Sequence, residues 1–110
     1  MEANEKATLY NEVMAEYGYD HQMHKCVEEC AELTDALMKH KDGRTKPKQI
    51  ITEIADVIIC CEQLALHFGL KEVLDERDRK LERLAERLKE YKESKKQKPD
   101  DNAAPSDSPS

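Results

Sequence analysis

The sequence has few residues that break helices and few aromatic side chains. It contains three glycines, no tryptophan, one phenylalanine and four tyrosines among its 110 residues. Three of its four prolines fall in the last sixteen residues, which leaves only Pro47 to interrupt the rest of the chain. Alternation of apolar and polar residues, the pattern of half-buried strands, is nowhere sustained. These absences argue against a sheet-based fold and predict long helices.

Positive charge is also scarce, and this limits the partners of the protein. Lysine and arginine total 18 against 24 aspartates and glutamates, which gives a net charge of −6. A duplex-binding protein needs a basic face, so we expect no nucleic-acid partner. The longest apolar run is far shorter than the roughly 20 residues that span a bilayer, and no secretory signal pattern occurs. We therefore expect a cytoplasmic protein without a membrane partner.

The four cysteines do not follow a metal-binding motif. Cys26 and Cys30 lie one helical turn apart, and Cys60 and Cys61 are adjacent, so no CxxC spacing occurs. A zinc site would also need histidines at ligand spacing, which the sequence does not provide. We interpret the four thiols as small apolar side chains in a reducing compartment.

Four helices fit between the few remaining breaks in the chain. We predict them near residues 3–17, 20–40, 47–68 and 71–93, each with apolar residues at helical spacing. Gly18 suits the C-terminal cap of the first helix, and Asp20 is the expected N-cap of the second. Pro47 stands in a first turn, where a helix tolerates proline. We predict that residues 1–94 form one all-α domain.

The last sixteen residues, KKQKPDDNAAPSDSPS, differ in composition from the rest of the chain. They hold three prolines and no large apolar side chain. Such a segment cannot bury enough apolar surface to offset the entropy lost on ordering. We therefore predict that residues 95–110 form a disordered tail.

The predicted third helix is apolar on two of its faces at 100° per residue. The first face comprises Ile50, Ile54, Val57, Cys61, Leu64 and Phe68, and the second comprises Ile51, Ala55, Ile58, Ile59 and Leu66. One face can serve the core of a single chain, and the other needs a partner. Since a domain this small buries little surface alone, we predict a homodimer or homotetramer.

Two carboxylates stand between these two faces. Glu53 and Asp56 project roughly 60° apart from a helix that is otherwise apolar. Burial of ionised carboxylates is costly, so such a pair requires a cation. The segment VEECAEL of the second helix carries Glu29 and Glu32 at the same three-residue spacing. If the two helices pack side by side, four carboxylates converge, and a hard divalent ion such as Mg²⁺ is a suitable counter-ion.

These acidic blocks resemble the signatures of a known enzyme family. EECAE at residues 28–32 and EIAD at residues 53–56 are similar to the EExxE and ExxD motifs of the MazG-like all-α nucleoside triphosphate pyrophosphohydrolases. The similarity covers about residues 17–93. Either block alone is weakly specific, because charged helices often produce such spacings. Together, with the second block on a helix this apolar, they are considerably more specific.

The resemblance extends to residues outside the two blocks. Gln22 stands six residues before Glu28, as the family's glutamine commonly does, and Lys80 with Arg83 match basic positions of its last helix. The resemblance thus implies that Gln22 contacts the base or ribose and that Lys80 and Arg83 bind the triphosphate. Glu28 is expected to be supporting or exposed.

The fold implied by the resemblance is an oligomer of four-helix bundles. The implied activity is hydrolysis of a ribo- or deoxyribonucleoside triphosphate to the monophosphate and pyrophosphate, in a house-cleaning role on the nucleotide pool. Mg²⁺, with Mn²⁺ as a possible substitute, and catalysis are implied at the positions matching Glu29, Glu32, Glu53 and Asp56. The residues themselves do not name a base.

Two other functions also gather carboxylates or apolar faces on helices. A di-iron four-helix bundle requires Glu-x-x-His pairs, and the sequence contains none. A non-catalytic interaction module is the second, in which the apolar second face of the third helix and the amphipathic last helix bind another chain. Dependence of the activity on Mg²⁺ separates this module from the enzyme.

Overall fold

Residues 1–97 are described by the structure, a computed structural model, and they form four α-helices without a strand. The helices are α1 (Ala3–Tyr17), α2 (Tyr19–Lys41), α3 (Pro47–Phe68) and α4 (Leu70–Gln97). The predicted all-α class is thus confirmed. None of these helices combines the length and apolar character that a membrane crossing demands.

A single residue, Gly18, separates α1 from α2. Its φ of +88° is a conformation that side chains disfavour, and its N–H donates to Met14 O at 2.9 Å to close α1. Its carbonyl accepts from Gln22 N at 3.2 Å, so Gly18 itself is the N-cap of α2. The predicted cap at Asp20 is therefore wrong. Asp20 falls in the first turn of α2, where its negative charge interacts favourably with the positive end of the helix dipole.

A five-residue loop, 42–46, turns the chain from α2 to α3. Gly43, with φ +75°, donates to His40 O at 2.9 Å, and His40 Nδ1 donates to Thr45 O at 3.0 Å. Lys46 is extended and Pro47 is the first residue of α3, as the sequence predicts. This short, hydrogen-bonded loop makes α2 and α3 neighbours in space.

The last helix is longer than predicted. It begins at Leu70, after Gly69, and continues to Gln97, so it includes three residues that were assigned to the tail. The physical reason is that the first proline of the tail is Pro99, and the lysines before it are compatible with a helix. The other residues of the predicted tail, 98–110, lie outside the described residues. The chain divides into two compact units, residues 1–70 and the part from Lys71 onward.

In the first unit, α2 and α3 pack as an antiparallel pair. The start of α2 meets the end of α3, where Gln22 Nε2 donates to Gln63 Oε1 at 2.6 Å. α1 is held on this pair by a contact with α3: Tyr10 Oη donates to Glu62 Oε1 at 2.6 Å, and Lys6 Nζ lies 3.6 Å from Glu62 Oε2. Three helices of the first unit are thus linked through polar groups as well as through apolar contacts.

The core of the described chain is small. Its buried apolar residues are Tyr10, Cys26, Ala36 and Cys60, and no large side chain in residues 1–97 is completely buried. The second predicted face of α3 is open, with Ile51 66% exposed and Ile58 51% exposed. Tyr17 and Phe68 are also exposed. A single chain therefore leaves much apolar surface in contact with water.

Candidate metal centre

The antiparallel pairing of α2 and α3 brings acidic side chains together. Glu29 from α2 and Glu53 with Asp56 from α3 each present one carboxylate oxygen, and these three oxygens lie within 4.8 Å of one another. Glu53 and Asp56 share a side of α3 because three residues are slightly less than one helical turn. We name Glu29, Glu53 and Asp56 the acidic cluster.

Glu32, the fourth predicted acid, occupies the edge of the acidic cluster. Its side chain is exposed, and it is not one of the three groups whose oxygens converge. It nevertheless contacts Glu53 closely enough to raise the pKa of that carboxyl. Glu28, next to Glu29, is exposed, which is one of the two outcomes that the sequence analysis expects for it.

The cluster contains buried oxygens without hydrogen bonds. Glu29 is only 6% exposed, and its Oε2 is buried with no partner among residues 1–97. Glu53 Oε2 is buried and unpartnered in the same way. The pKa of Glu53 is raised, first because burial disfavours its charged form and then because Glu32, Asp56 and Glu29 repel that charge. Each glutamate therefore has one buried oxygen without the partner that its burial calls for.

One cation that sequence analysis missed lies beside this cluster. Lys25 Nζ is 3.1 Å from Glu29 Oε1, and the hydrogen bond and charge of Glu29 raise the pKa of Lys25. The two residues are four apart on α2, the spacing at which helical ion pairs form, so this pattern was available from the sequence. Lys25 is half-exposed and neutralises only one carboxylate of the group.

The residues of the acidic cluster fit a hard divalent cation. All three offered ligands are carboxylate oxygens, which Mg²⁺ and Mn²⁺ prefer over nitrogen and sulfur. Two of the carboxylates have an oxygen that no hydrogen bond satisfies. A cation bound by Glu29, Glu53 and Asp56 would compensate both the repulsion and the missing hydrogen bonds. Glu32 is near enough to Glu53 to assist.

Gln22 lies in the first unit, two helical turns before Glu29 on α2. It is 6% exposed, donates to Gln63 Oε1, and accepts a hydrogen bond of 2.8 Å from His21 Nδ1. Sequence analysis singled out Gln22 but not Gln63 or His21. Gln63 becomes a neighbour only through the register between α2 and α3, which no local pattern reveals.

A cavity of about 280 Å³ connects this glutamine pair with the acids. Its lining includes Gln22 and Gln63 together with Glu29 and Asp56 of the acidic cluster. Val13 and Ile59 contribute apolar surface. Polar groups and carboxylates thus open onto one space in the first unit.

Lys80 and Arg83 lie on α4 in the second unit, and both are exposed. Both belong to a helix with many charged residues, in which a solvated face accounts for most of the charge. Binding of a triphosphate by these two residues stays a prediction.

The four cysteines are free thiols. Cys26 and Cys60 are buried, whereas Cys30 and Cys61 are exposed. Burial raises the pKa of Cys26 to about 12, and burial likewise raises the pKa of Cys60. Thiols that stay protonated are poor nucleophiles, so the buried pair fills space in the core.

Comparison with known proteins identifies no relative of the chain. No protein-family model matches it, no curated protein matches it, and no solved structure matches it.

Proposed function

We propose that the protein is a Mg²⁺-dependent nucleoside triphosphate pyrophosphohydrolase of the MazG-like all-α type, acting on the cytoplasmic nucleotide pool. The observation that supports this most is the acidic cluster: Glu29, Glu53 and Asp56 come from the two blocks that resemble the family's signatures, and their oxygens converge. Two unsatisfied buried oxygens add to that support. The reaction is hydrolysis of the triphosphate to the monophosphate and pyrophosphate.

In this proposal the chain's own carboxylates hold and orient the metal. Glu29, Glu53 and Asp56 are the ligands, and Glu32 supports them from the edge. Bound Mg²⁺ supplies neutralisation of the polyphosphate charge and polarisation of the reacting phosphoryl group. The α2–α3 packing supports this role, because one oxygen from each of the three carboxylates lies within 4.8 Å of the others.

Lys25 has a separate part in this proposal. In the metal-free protein it partly balances the charge of Glu29. With a cation at the acidic cluster, the flexible ammonium group of Lys25 would be free to pair with a substrate phosphate. Lys25 therefore supplies a positive charge within the first unit, at the cavity that it lines with Gln22 and Glu29.

Pyrophosphate release from the eight common ribo- and deoxyribonucleoside triphosphates with Mg²⁺ tests the proposal, with orthophosphate measured in parallel. We expect pyrophosphate from at least one nucleotide and none in the presence of excess chelator. Glu53→Gln should slow release by about 100-fold or more, since removal of one group that stabilises the transition state typically costs that much. Glu28→Gln is the matched control, because Glu28 is exposed, and should stay within about twofold of wild type.

A non-catalytic helical interaction module is the second candidate, and the exposed face of α3 favours it. Ile51, Ile58 and Ile59 are all exposed in the single chain. If no nucleotide releases pyrophosphate and Mg²⁺ does not stabilise the fold, the module replaces the enzyme as the better explanation. Normal pyrophosphate release by Glu53→Gln would also remove the proposed role of the acidic cluster.

We also propose that the chain assembles as a homodimer or homotetramer. The small core and the exposed isoleucines of α3 support this, since a second copy would cover surface that one chain cannot bury.

A further inference from the structure

The cavity lined by Gln22 and Gln63 has two groups of polar residues, the glutamine pair and the acids, on the same two helices. Gln22 precedes Glu29 by seven residues on α2, and Gln63 follows Asp56 by seven residues on α3. Seven residues are two helical turns, a rise of about 10 Å, so the glutamine pair and the acids line the same cavity at different positions along the helices. A nucleotide carries its base and its phosphates on opposite sides of a ribose. The separation of the glutamine pair from the acids would allow one ligand to reach both.

The glutamine pair is held in place and still has a free donor. The Gln22 amide donates to Gln63 Oε1 at 2.6 Å and accepts from His21 Nδ1 at 2.8 Å, which fixes its orientation. The amide nitrogen of Gln63 donates to no acceptor among residues 1–97, and Gln63 lines the cavity. A fixed amide pair with an unused N–H suits the edge of a nucleobase, which presents hydrogen-bond acceptors in one plane.

An aromatic surface borders the same cavity. The rings of Tyr17 and His21 stack with their centroids 5.1 Å apart and their planes 23° apart. Tyr17 is 60% exposed, so part of its ring is available to a ligand, and both residues line the cavity. Bases stack on aromatic side chains regardless of their identity, whereas hydrogen bonds to the base edge give preference for a base.

We propose that Tyr17, Gln22 and Gln63 form a nucleobase subsite, with Tyr17 stacking on the base and Gln63 donating to its edge. The subsite rests on the proposed function for the placement of the phosphates at the acidic cluster. Its own elements are the stacked pair, the hydrogen-bonded amides and the cavity that they share. Gln63 is the specificity-determining residue in this arrangement, Tyr17 supplies a stacking surface for any base, and Gln22 is a positioning residue that holds the Gln63 amide.

Binding of nucleoside monophosphates to the full chain in Mg²⁺ tests the subsite without any hydrolysis. Isothermal titration compares the four common ribonucleoside monophosphates with ribose 5-phosphate, which has the sugar and the phosphate but no base. We expect at least one monophosphate to bind about tenfold more tightly than ribose 5-phosphate, a difference in the range of a single stacked base.

The wild type should also bind the four monophosphates with a preference among the bases. Gln63→Met should bring that preference to within about twofold, because methionine keeps the length of the side chain and removes its hydrogen bonds to the base edge, whereas stacking on Tyr17 is similar for every base. Gln49→Met is the matched control, since Gln49 is an exposed glutamine on the same helix, and should keep the full preference. If Gln63→Met does not fold, as judged by circular dichroism, Tyr17→Ala takes its place, because the exposed Tyr17 side chain contributes little to the core.

Equal binding of ribose 5-phosphate and the monophosphates by the wild type overturns the subsite. An unchanged preference among the bases in folded Gln63→Met, or an unchanged preference over ribose 5-phosphate in its replacement Tyr17→Ala, overturns it as well. Failure of the proposed function is a different result: no triphosphate releases pyrophosphate, whatever the base preference of the monophosphates. A base-selective protein without hydrolysis would keep the subsite and remove the enzyme.

Discussion

Lys25 and Glu29, four residues apart on α2, form an ion pair with Nζ 3.1 Å from Oε1. Lys25 is half-exposed, whereas Glu29 belongs to the acidic cluster. Only one oxygen of Glu29 is engaged, since its Oε2 has no partner among the described residues. The metal-free cluster is thus partly neutralised, and a cation that binds Glu29 competes with Lys25 for that carboxylate.

Replacement of Lys25 by methionine should tighten the binding of Mg²⁺ or Mn²⁺. The ammonium group competes with the metal for Glu29, so its removal is expected to lower the dissociation constant about two- to fivefold, as for other exposed ion pairs. Isothermal titration without nucleotide measures this, and Lys25→Arg, which keeps the charge, is the control. Weaker metal binding by Lys25→Met would contradict competition.

Metal should stabilise the fold through Glu29. In a thermal melt with Mg²⁺ at about 100 times its dissociation constant, linkage predicts a gain of about 2.7 kcal/mol in the free energy of unfolding. Glu29→Gln is expected to lose most of this gain, whereas Glu28→Gln, one residue away and exposed, should retain it. Equal gains in the two variants would place the metal elsewhere.

The stability of the metal-free protein should depend on pH through Glu53. Its pKa in the folded chain lies above the ordinary 4.5, because burial and the neighbouring acids disfavour the charged form. Between 4.5 and that raised pKa the folded state binds more protons than the unfolded state, so stability falls as pH rises through this window.

Glu53→Gln removes this titrating carboxyl group and should flatten the dependence of stability on pH in that window. Denaturant melts in a chelator from pH 4 to pH 7 measure the difference between wild type and variant. We expect the variant to be the more stable protein at pH 7. A variant that is less stable there would show that the repulsion around Glu53 is unimportant.

Tyr10 should stabilise the attachment of α1 to α3 through its hydrogen bond to Glu62. Tyr10→Phe keeps the ring and removes the hydroxyl that donates to Glu62 Oε1 at 2.6 Å. We expect a loss of about 1–3 kcal/mol in the free energy of unfolding at neutral pH, as for hydrogen bonds to charged groups. Urea melts of the two proteins measure it, and an unchanged midpoint would show the bond to be energetically neutral.

The same residue predicts a pH dependence in alkaline solution. Burial and Glu62 raise the pKa of Tyr10 from 10.0 to about 12, so the folded state holds this proton more tightly. The resulting stability is complete below pH 10 and is lost as pH rises to about 12. Tyr10→Phe should lack this component, which the difference between the two melting profiles isolates.

Self-association should depend on the exposed face of α3. Ile58→Glu places a charge where a second copy is proposed to pack, and we expect at least a tenfold weaker association in sedimentation experiments. Thr52→Glu adds the same charge at another exposed position of α3 and is the control. A monomeric wild type, or equal effects of the two variants, would argue against this face.

The helices were predictable because their signals are local. Gly18, Gly43 and Pro47 interrupt the apolar periodicity at the positions where the structure has its breaks. Asp20 was misassigned because the backbone of Gly18, not a side chain, begins α2. The end of α4 was placed too early because composition changes gradually from Lys95 onward, whereas the helix extends to Gln97.

The acidic cluster was predictable only in part. Three-residue spacing on an apolar helix indicated Glu53 and Asp56, because spacing on one helix fixes a shared side. The difference between buried Glu29 and exposed Glu32 depends on how α2 is rotated against α3, and the sequence of α2 does not show that rotation.

Sequence by itself determined the four helices and the acids that they carry, since helix formation and side-chain spacing follow from neighbours along the chain. Tertiary structure alone decided which oxygens are buried without partners and that Gln63 meets Gln22. These relationships join residues up to 41 positions apart. They depend on the packing of α2 against α3, where burial and register are properties of two helices together.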